Sequence, residues 1–347
     1  MRAISYPGYE APPTVGEVAD PDCPRDGVVL EVRATGVCRS DWHAWMGHDP
    51  VPGFPHVPGH EYAGVIAAVG AEVTRWSVGD RVVAPFALGC GACATCESGA
   101  LNVCPRNLQP GFTSWGSFAD LVAVPRADAN LVALPEAVGF VEAAALGCRF
   151  ATSYHAVVER AQLVQGEWLA VHGCGGIGLS ALMVGVALGA RVIAVDVSEV
   201  ALAAARDLGA EAAVLGPDGV VEQVLEITGD GAHVSVDALG SVATMRASLE
   251  CLRPRGRHLQ VGLMLGDASD PPVPLGRVLS YELALLGSHG MPSGDYAPML
   301  DLVASGRLRP ELLVGRVIGL AEAGAALASM SGPSSGPGMT VVDMDVR

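Results

Sequence analysis

Six residues, GCGGIG at 173–178, constrain the fold of this chain more than any others. Before them WLAVH reads as a buried strand; after them LSALMVGVALGA has helical periodicity, and RVIAVD supplies the next strand. A strand, a tight glycine turn, a helix and a second strand make one right-handed crossover unit of a parallel sheet. In that setting Gly173, Gly175 and Gly178 fit the dinucleotide fingerprint. The first glycine turns the chain, the second admits a pyrophosphate to the backbone, and the third lets helix and strand approach. In a chain with 44 glycines the spacing alone would carry little weight, so the strand-turn-helix context is the argument.

Asp196 ends the following strand about twenty residues after the turn. A carboxylate there accepts hydrogen bonds from both hydroxyls of an adenosine ribose, whereas a 2′-phosphate would meet like charge, so NAD is favoured over NADP. The other reading of Asp196 is a solvated cap for the helix-like SEVALAAARDLG. AHVSVDAL, GRHLQVGL and ELALLGSH read as further strands, alternating with helical stretches near 198–208, 219–227 and 241–251. The pattern is that of an α/β, doubly wound parallel sheet.

At 347 residues the chain exceeds the usual single core, so two domains are expected. Short β-branched segments bounded by turns, MRAISYP, GVVLEVRATGV, YAGVIAAVG and DRVVAPF, give residues 1 to about 145 a mostly β, partly barrel-like character. Within them CGACATCESGALNVC places Cys90, Cys93, Cys96 and Cys104 two, two and seven residues apart. Two short C-x2-C steps wrap one side of an ion and the longer excursion closes a tetrahedron, leaving no open position, so a structural zinc is expected in the lobe 90–104. An iron–sulfur cluster or a pair of disulfides are the competing readings.

A second constellation begins in GVCRSDWHAWMGHDPVPGFPHVPGHEYAG, residues 36–64. Cys38, His60 and Glu61 are candidate ligands for a divalent metal, separated by what reads as a polar, Pro- and Gly-rich loop rather than a regular element. Cys148, in LGCRFATSYHAV, supplies a third protein ligand. Two thiolates and one imidazole suit a catalytic zinc, which keeps a fourth position open. The plainer alternative is that Cys38 packs as a small hydrophobe and His60 as a hydrogen-bonded loop histidine.

Composition excludes several partners. A net charge of −16 opposes nucleic acid and anionic membranes, and no apolar run reaches membrane-spanning length. All 21 basic residues are arginine, which rules out lysine Schiff-base chemistry. No secretory leader opens the chain, and cysteines crowded into one lobe suit a reducing, cytoplasmic setting.

Together these segments resemble the zinc-containing medium-chain alcohol dehydrogenases over essentially the whole chain. GVCRSDWHAW, PGHEYAG and LGC are similar to that family's catalytic-zinc segments, and the four-cysteine lobe to its structural-zinc loop. The resemblance implies a dinucleotide-binding domain at 148–281 inserted into a GroES-like catalytic domain formed by 1–147 and 282–347. It implies that Cys38, His60 and Cys148 bind catalytic zinc, with Glu61 beside it as an outer or transient ligand and Asp41 holding the ring of His60. It also implies that Ser40 takes the alcohol's proton and His43 passes it towards water by way of the nicotinamide ribose. The plainer reading of His43 is a residue that caps or packs the loop. Arg39 would meet the cofactor pyrophosphate and Thr152 would pack against nicotinamide. Many relatives carry a second basic residue near the last strand, where this chain has Met339, so cofactor binding leans on Arg39 and on the helix terminus at Gly175, Gly176, Ile177 and Gly178.

The function implied is reversible hydride transfer from small to medium aliphatic or benzylic alcohols to NAD, giving an aldehyde or ketone, with two zinc ions per chain in a homodimer or homotetramer. Trp42, Trp45, Phe86, Phe112 and Trp115 are candidates for an apolar substrate wall. A polyol, threonine or thiol-adduct dehydrogenase of the same fold, or a non-catalytic NAD-binding zinc protein, are the alternatives.

Overall fold

The computed structural model describes residues 1–332 and 338–346. The chain divides into two compact units: residues 1–151 with 290–306 and 310–347, and residues 152–289 with 307–309. From sequence the divisions are set at 147/148 and 281/282.

In the first unit the ten-residue strand Val28–Val37 is the hub of a seven-stranded sheet among the described residues. Its first half pairs with Leu121–Val124 and its last four residues with Met339–Asp343, while Glu61–Val69 runs antiparallel along its other edge. One strand therefore has two neighbours in succession on one side, as a sheet that curls towards closure requires. The register sets Gly36 opposite Glu61, which brings Cys38, one residue past the end of its strand, near His60, one residue before the start of the other. Two apolar clusters pack with this sheet, one around Ile4, Tyr6, Val37, Phe118 and Leu327, the other around Leu30, Tyr62, Ile66, Val82 and Leu88.

One local expectation is corrected. The segment after Cys38 is not irregular throughout: Arg39–Trp45 is an α-helix with Cys38 at its N-cap. The prolines and most glycines of the segment come after Trp45, so nothing in RSDWHAW breaks a helix, and the Asp41 carboxylate accepts the Cys38 N–H at 3.1 Å, satisfying a terminal donor.

The second unit is a parallel sheet. Its six strands run in the spatial order Ala212–Leu215, Arg191–Asp196, Trp168–His172, Ala232–Asp237, Leu252–Gln260 and Ala284–Gly287. In chain order that is 3-2-1-4-5-6, a doubly wound arrangement whose switch point lies beside Trp168–His172. All five residues of that strand are buried, as a strand covered on both faces demands. The edge strand Ala212–Leu215 has no counterpart in the sequence reading.

The glycine turn leaves this central strand at the switch point. Gly173 has φ +94°, a left-handed conformation that favours glycine. The helix Gly176–Ala187 then passes so close to the turn that a β-carbon on Gly178 would overlap the Gly173 carbonyl, whereas one on Gly175 would enter open space. Gly178→Ala should therefore lower stability by about 1–3 kcal/mol through overpacking, while Gly175→Ala leaves it within about 0.5 kcal/mol. Urea denaturation of the two variants checks the contrast; equal midpoints would remove the close-packing account of Gly178.

Candidate functional site

Four cysteines form the first cluster. Sγ–Sγ distances are 3.6 Å for Cys93–Cys96, 3.8 Å for Cys93–Cys104 and 3.9 Å for Cys90–Cys96. A disulfide would bring two sulfurs to about 2 Å, and all four are free thiols. A tetrahedron with metal–sulfur bonds of about 2.3 Å has edges of about 3.8 Å, so the sulfurs already stand at metal-site spacing. The Cys104 sulfur accepts backbone N–H bonds from Cys90 and Arg106, and Arg106 Nη2 donates to Cys90 Sγ at 3.0 Å. Hydrogen bonding from the Ala92 amide leads the effects that pull the Cys90 thiol down to about 6, towards the thiolate a metal needs. Arg106 was not visible as part of this cluster from spacing alone.

The second cluster collects Cys38, His60, Glu61 and Cys148, with one ligand atom of each lying within 4.8 Å of the others. Asp41, fully buried, organises it. Its Oδ1 accepts from His60 Nδ1 at 2.8 Å and from the Gly59 N–H at 3.0 Å, while Oδ2 takes the Cys38 N–H. With Nδ1 donating to the carboxylate, His60 turns Nε2 inward, and that buried atom has no hydrogen-bond partner. An orphaned imidazole nitrogen facing two thiols fits a borderline-soft cation such as zinc.

Burial opposes charge on the His60 ring and Asp41 favours it, and the balance holds the ring well above the ordinary imidazole range. Between the two thiols, a hydrogen bond from Cys148 holds Cys38 well below its usual range and pushes Cys148 up. Binding a cation there requires both thiols to give up their protons.

Glu61 is completely buried, and burial raises its carboxyl against the pull of Arg149. Arg149 Nε and backbone N–H reach Glu61 Oε1 at 3.1 and 3.2 Å, and Nη2 reaches Oε2 at 2.5 Å. Sequence reasoning missed Arg149. The signal available was a glutamate at the start of an otherwise apolar strand, which needs a cation, but nothing in the chain order says which of 21 arginines supplies it.

The remaining residues of this unit are placed as follows. Ser40 Oγ lies 3.8 Å from Cys38 Sγ. His43 Nδ1 stands 2.9 Å from His48 Nδ1, one ring donating to the other, and Trp42 meets both rings edge-on. Arg39 stacks over Trp42 at 4.5 Å and donates to the Met330 carbonyl. Of the five aromatic candidates, Phe86 and Phe112 face His60, at ring-centre distances of 5.9 and 5.0 Å. Trp42, Trp45 and Trp115 instead donate to Ser331 Oγ, the Ala11 carbonyl and the Pro55 carbonyl. Met339 is buried in its strand.

In the second unit the Asp196 carboxylate ties the end of its strand to the glycine turn, accepting from the Cys174 N–H at 2.7 Å and the Ser198 N–H at 2.9 Å. The helix behind Gly175 has no side-chain cap, so the N–H groups at Gly176 and Ile177 are available to an anion. The open space at Gly175 leaves room for a phosphate to approach. Thr152 is buried in the short helix Ala151–Tyr154, its carbonyl accepting from Ser288 Oγ.

Glycine turn, orphaned imidazole and thiol clusters define a zinc-binding, dinucleotide-dependent dehydrogenase. Comparison with known proteins agrees. Residues 24–136 match the family described as alcohol dehydrogenase GroES-like domain, and 176–305 the family described as zinc-binding dehydrogenase. The chain is 34% identical to an alcohol dehydrogenase of Geobacillus stearothermophilus over 89% of this chain and 90% of that protein. It is 32% identical to a sorbitol dehydrogenase of Halalkalibacterium halodurans over 86% of this chain and 87% of that protein. Among solved structures, an alcohol dehydrogenase from Thermus sp. ATN1 superposes with a TM-score of 0.91 at 30% identity, covering 100% of both chains. The chain belongs to the zinc-type medium-chain alcohol dehydrogenase family. It is an NAD-dependent oxidoreductase acting on CH–OH groups, which displaces the non-catalytic alternative. No described helix is long and apolar enough to cross a membrane.

If the four-cysteine lobe holds a structural ion, Cys96→Ala should lose one equivalent of zinc and lower the melting temperature, with less effect on turnover in the surviving folded fraction. Metal analysis beside calorimetry decides it; unchanged zinc content and melting would refute the assignment.

Proposed function

We propose that this chain reversibly oxidises small to medium aliphatic or benzylic alcohols to aldehydes or ketones, with one zinc ion held by Cys38, His60 and Cys148 and a second by the four-cysteine lobe. When bound, zinc lowers the proton affinity of the alcohol oxygen and NAD accepts the hydride. The observation that carries the substrate class is the pair of rings, Phe86 and Phe112, packed against His60, whose Nε2 is unpartnered. An apolar wall at that point favours carbon-rich substituents and leaves the extra hydroxyls of a polyol without partners. A polyol dehydrogenase remains the second reading, supported by the likeness to sorbitol dehydrogenase.

Asp41 fixes the His60 tautomer, and Asp196, already held by two backbone amides, presents its free lone pairs to ribose hydroxyls and repels a 2′-phosphate. Arg39 and the uncapped helix terminus at Gly175 to Gly178 are the pyrophosphate partners in this reading, and Thr152 the nicotinamide contact. Ser40 takes the alcohol's proton and His43 carries it outward. A homodimer or homotetramer, and a cytoplasmic setting that keeps all nine cysteines reduced, belong to the same proposal.

Steady-state kinetics with NAD over primary alcohols, benzyl alcohol, secondary alcohols, sorbitol and threonine tests the substrate class. kcat/KM for the best aliphatic or benzylic alcohol should exceed that for sorbitol by on the order of tenfold or more. A preference for sorbitol would transfer the reading to polyols.

The proton route has its own signature. Burial first, and then the neighbouring His48 and Arg39, hold the His43 ring below the ordinary imidazole value of about 6.5. His43 accepts a proton only when neutral, so oxidation should fall with decreasing pH through a limb below that value. His43→Gln should slow oxidation by on the order of 10- to 100-fold near neutral pH, most strongly at low pH where hydroxide is scarce, with partial rescue by small exogenous bases. An unaltered pH–rate profile in that variant would show that the proton leaves elsewhere.

A further inference from the structure

The Glu61 carboxylate occupies a chamber shaped for it. It begins the strand Glu61–Val69 with Gly36 directly across in register, and a β-carbon on Gly36 would strike its Oε2. A β-carbon on Gly147 would come within 2.5 Å of the Glu61 β-carbon. In that space one Glu61 oxygen lies within 4.8 Å of the ligand atoms of Cys38, His60 and Cys148. Geometrically the carboxylate is a candidate fourth ligand, and four protein ligands would close a site whose chemistry needs an open position.

What opposes that closure is the guanidinium of Arg149. It is 11% exposed against 0% for Glu61, and it engages both carboxylate oxygens from one planar fork, with its own backbone N–H as a third donor. The charges give the same answer. Two thiolates and a carboxylate against a divalent cation leave one uncompensated negative charge in a buried site, and Arg149 cancels it. Without the guanidinium, the nearest cation available to Glu61 is the metal itself.

We propose that Arg149 is a positioning residue that holds Glu61 by both oxygens and so keeps the fourth coordination position of the Cys38–His60–Cys148 metal open. This rests on the metal reading of the proposed function, and the test separates the two. The protein is loaded with cobalt(II), and the visible spectrum is followed while imidazole is added as an exogenous ligand. Cobalt-loaded Cys38→Ser supplies the background of the four-cysteine lobe.

The parent should show a saturable spectral shift with imidazole. In Arg149→Leu the spectrum before addition should already differ, and imidazole should bind about 10- to 100-fold more weakly, because Glu61 occupies its place. The double variant Arg149→Leu/Glu61→Gln removes both charges and should restore the parent spectrum and imidazole affinity. Arg149→Lys keeps the charge without the fork and should be intermediate.

A parent-like spectrum and imidazole affinity in Arg149→Leu, or in Arg149→Lys where the leucine variant is not recovered folded, overturns the inference, as does a double variant that fails to restore the response. A parent protein with cobalt bands but no alcohol oxidation overturns the substrate reading and leaves this one standing. A parent with no cobalt–thiolate bands above the Cys38→Ser background overturns both.

Discussion

The carboxylate of Asp41 is the interaction on which the metal-binding unit depends. It is fully buried, and three N–H donors, the backbone amides of Cys38 and Gly59 and the ring of His60, carry its charge. A buried carboxylate without such partners would be expensive enough to protonate or to unfold its surroundings. Meeting that requirement fixes three things together: the start of the helix after Cys38, the path of the chain entering the strand at Glu61, and the tautomer of His60. The strand register brings the segments to the same place, and Asp41 then converts proximity into a ligand set by engaging Nδ1 and leaving Nε2 for the other groups.

A second charged group is handled differently. Glu61 also lies at zero exposure, yet two of its three donors are guanidinium N–H groups and only one is a backbone amide. Removing one member of a buried ion pair typically costs about 3–5 kcal/mol, whereas pairs at the surface, such as Arg2–Asp120 with side chains 59% and 31% exposed, contribute about 0–1 kcal/mol. Backbone amides cannot move away from Asp41 without unfolding the loop. A side-chain fork can. The two acids therefore differ in kind: Asp41 is part of the scaffold, and Glu61 is a ligand-capable group under restraint.

The fold was legible in the sequence where periodicity and turn chemistry agreed. The glycine turn, the buried strand before it and the long helix after it read correctly because only a parallel crossover unit satisfies all three. The edge strand Ala212–Leu215 escaped because it is four residues long and two of those are alanine, a residue depleted in strands. The helix Arg39–Trp45 escaped because the glycines and prolines that follow it dominated the composition of the whole segment. Within the site, cysteines and histidines announce themselves by chemistry and spacing. Arg149 and Arg106 do not, since one arginine among many becomes informative only when the structure shows which buried carboxylate or sulfur it faces.

Absent side chains do as much as present ones in shaping both regions. Around Glu61, bare positions at Gly36 and Gly147 make the chamber in which its side chain fits; around the dinucleotide turn, Gly178 lets helix and strand meet and Gly175 leaves space unfilled. The two uses have different physics. At Gly36 and Gly178 the space is occupied by the protein's own atoms, so any added methyl group strains the native packing. At Gly175 no protein atom stands within 4 Å of where a β-carbon would lie, and helix N–H groups without a side-chain cap adjoin it. Gly175 is exposed, and terminal N–H groups go unpaired only where solvent or a ligand meets them. Open space beside unpaired donors is therefore what a backbone prepared for an anion looks like, whereas filled space beside glycine shows packing already complete.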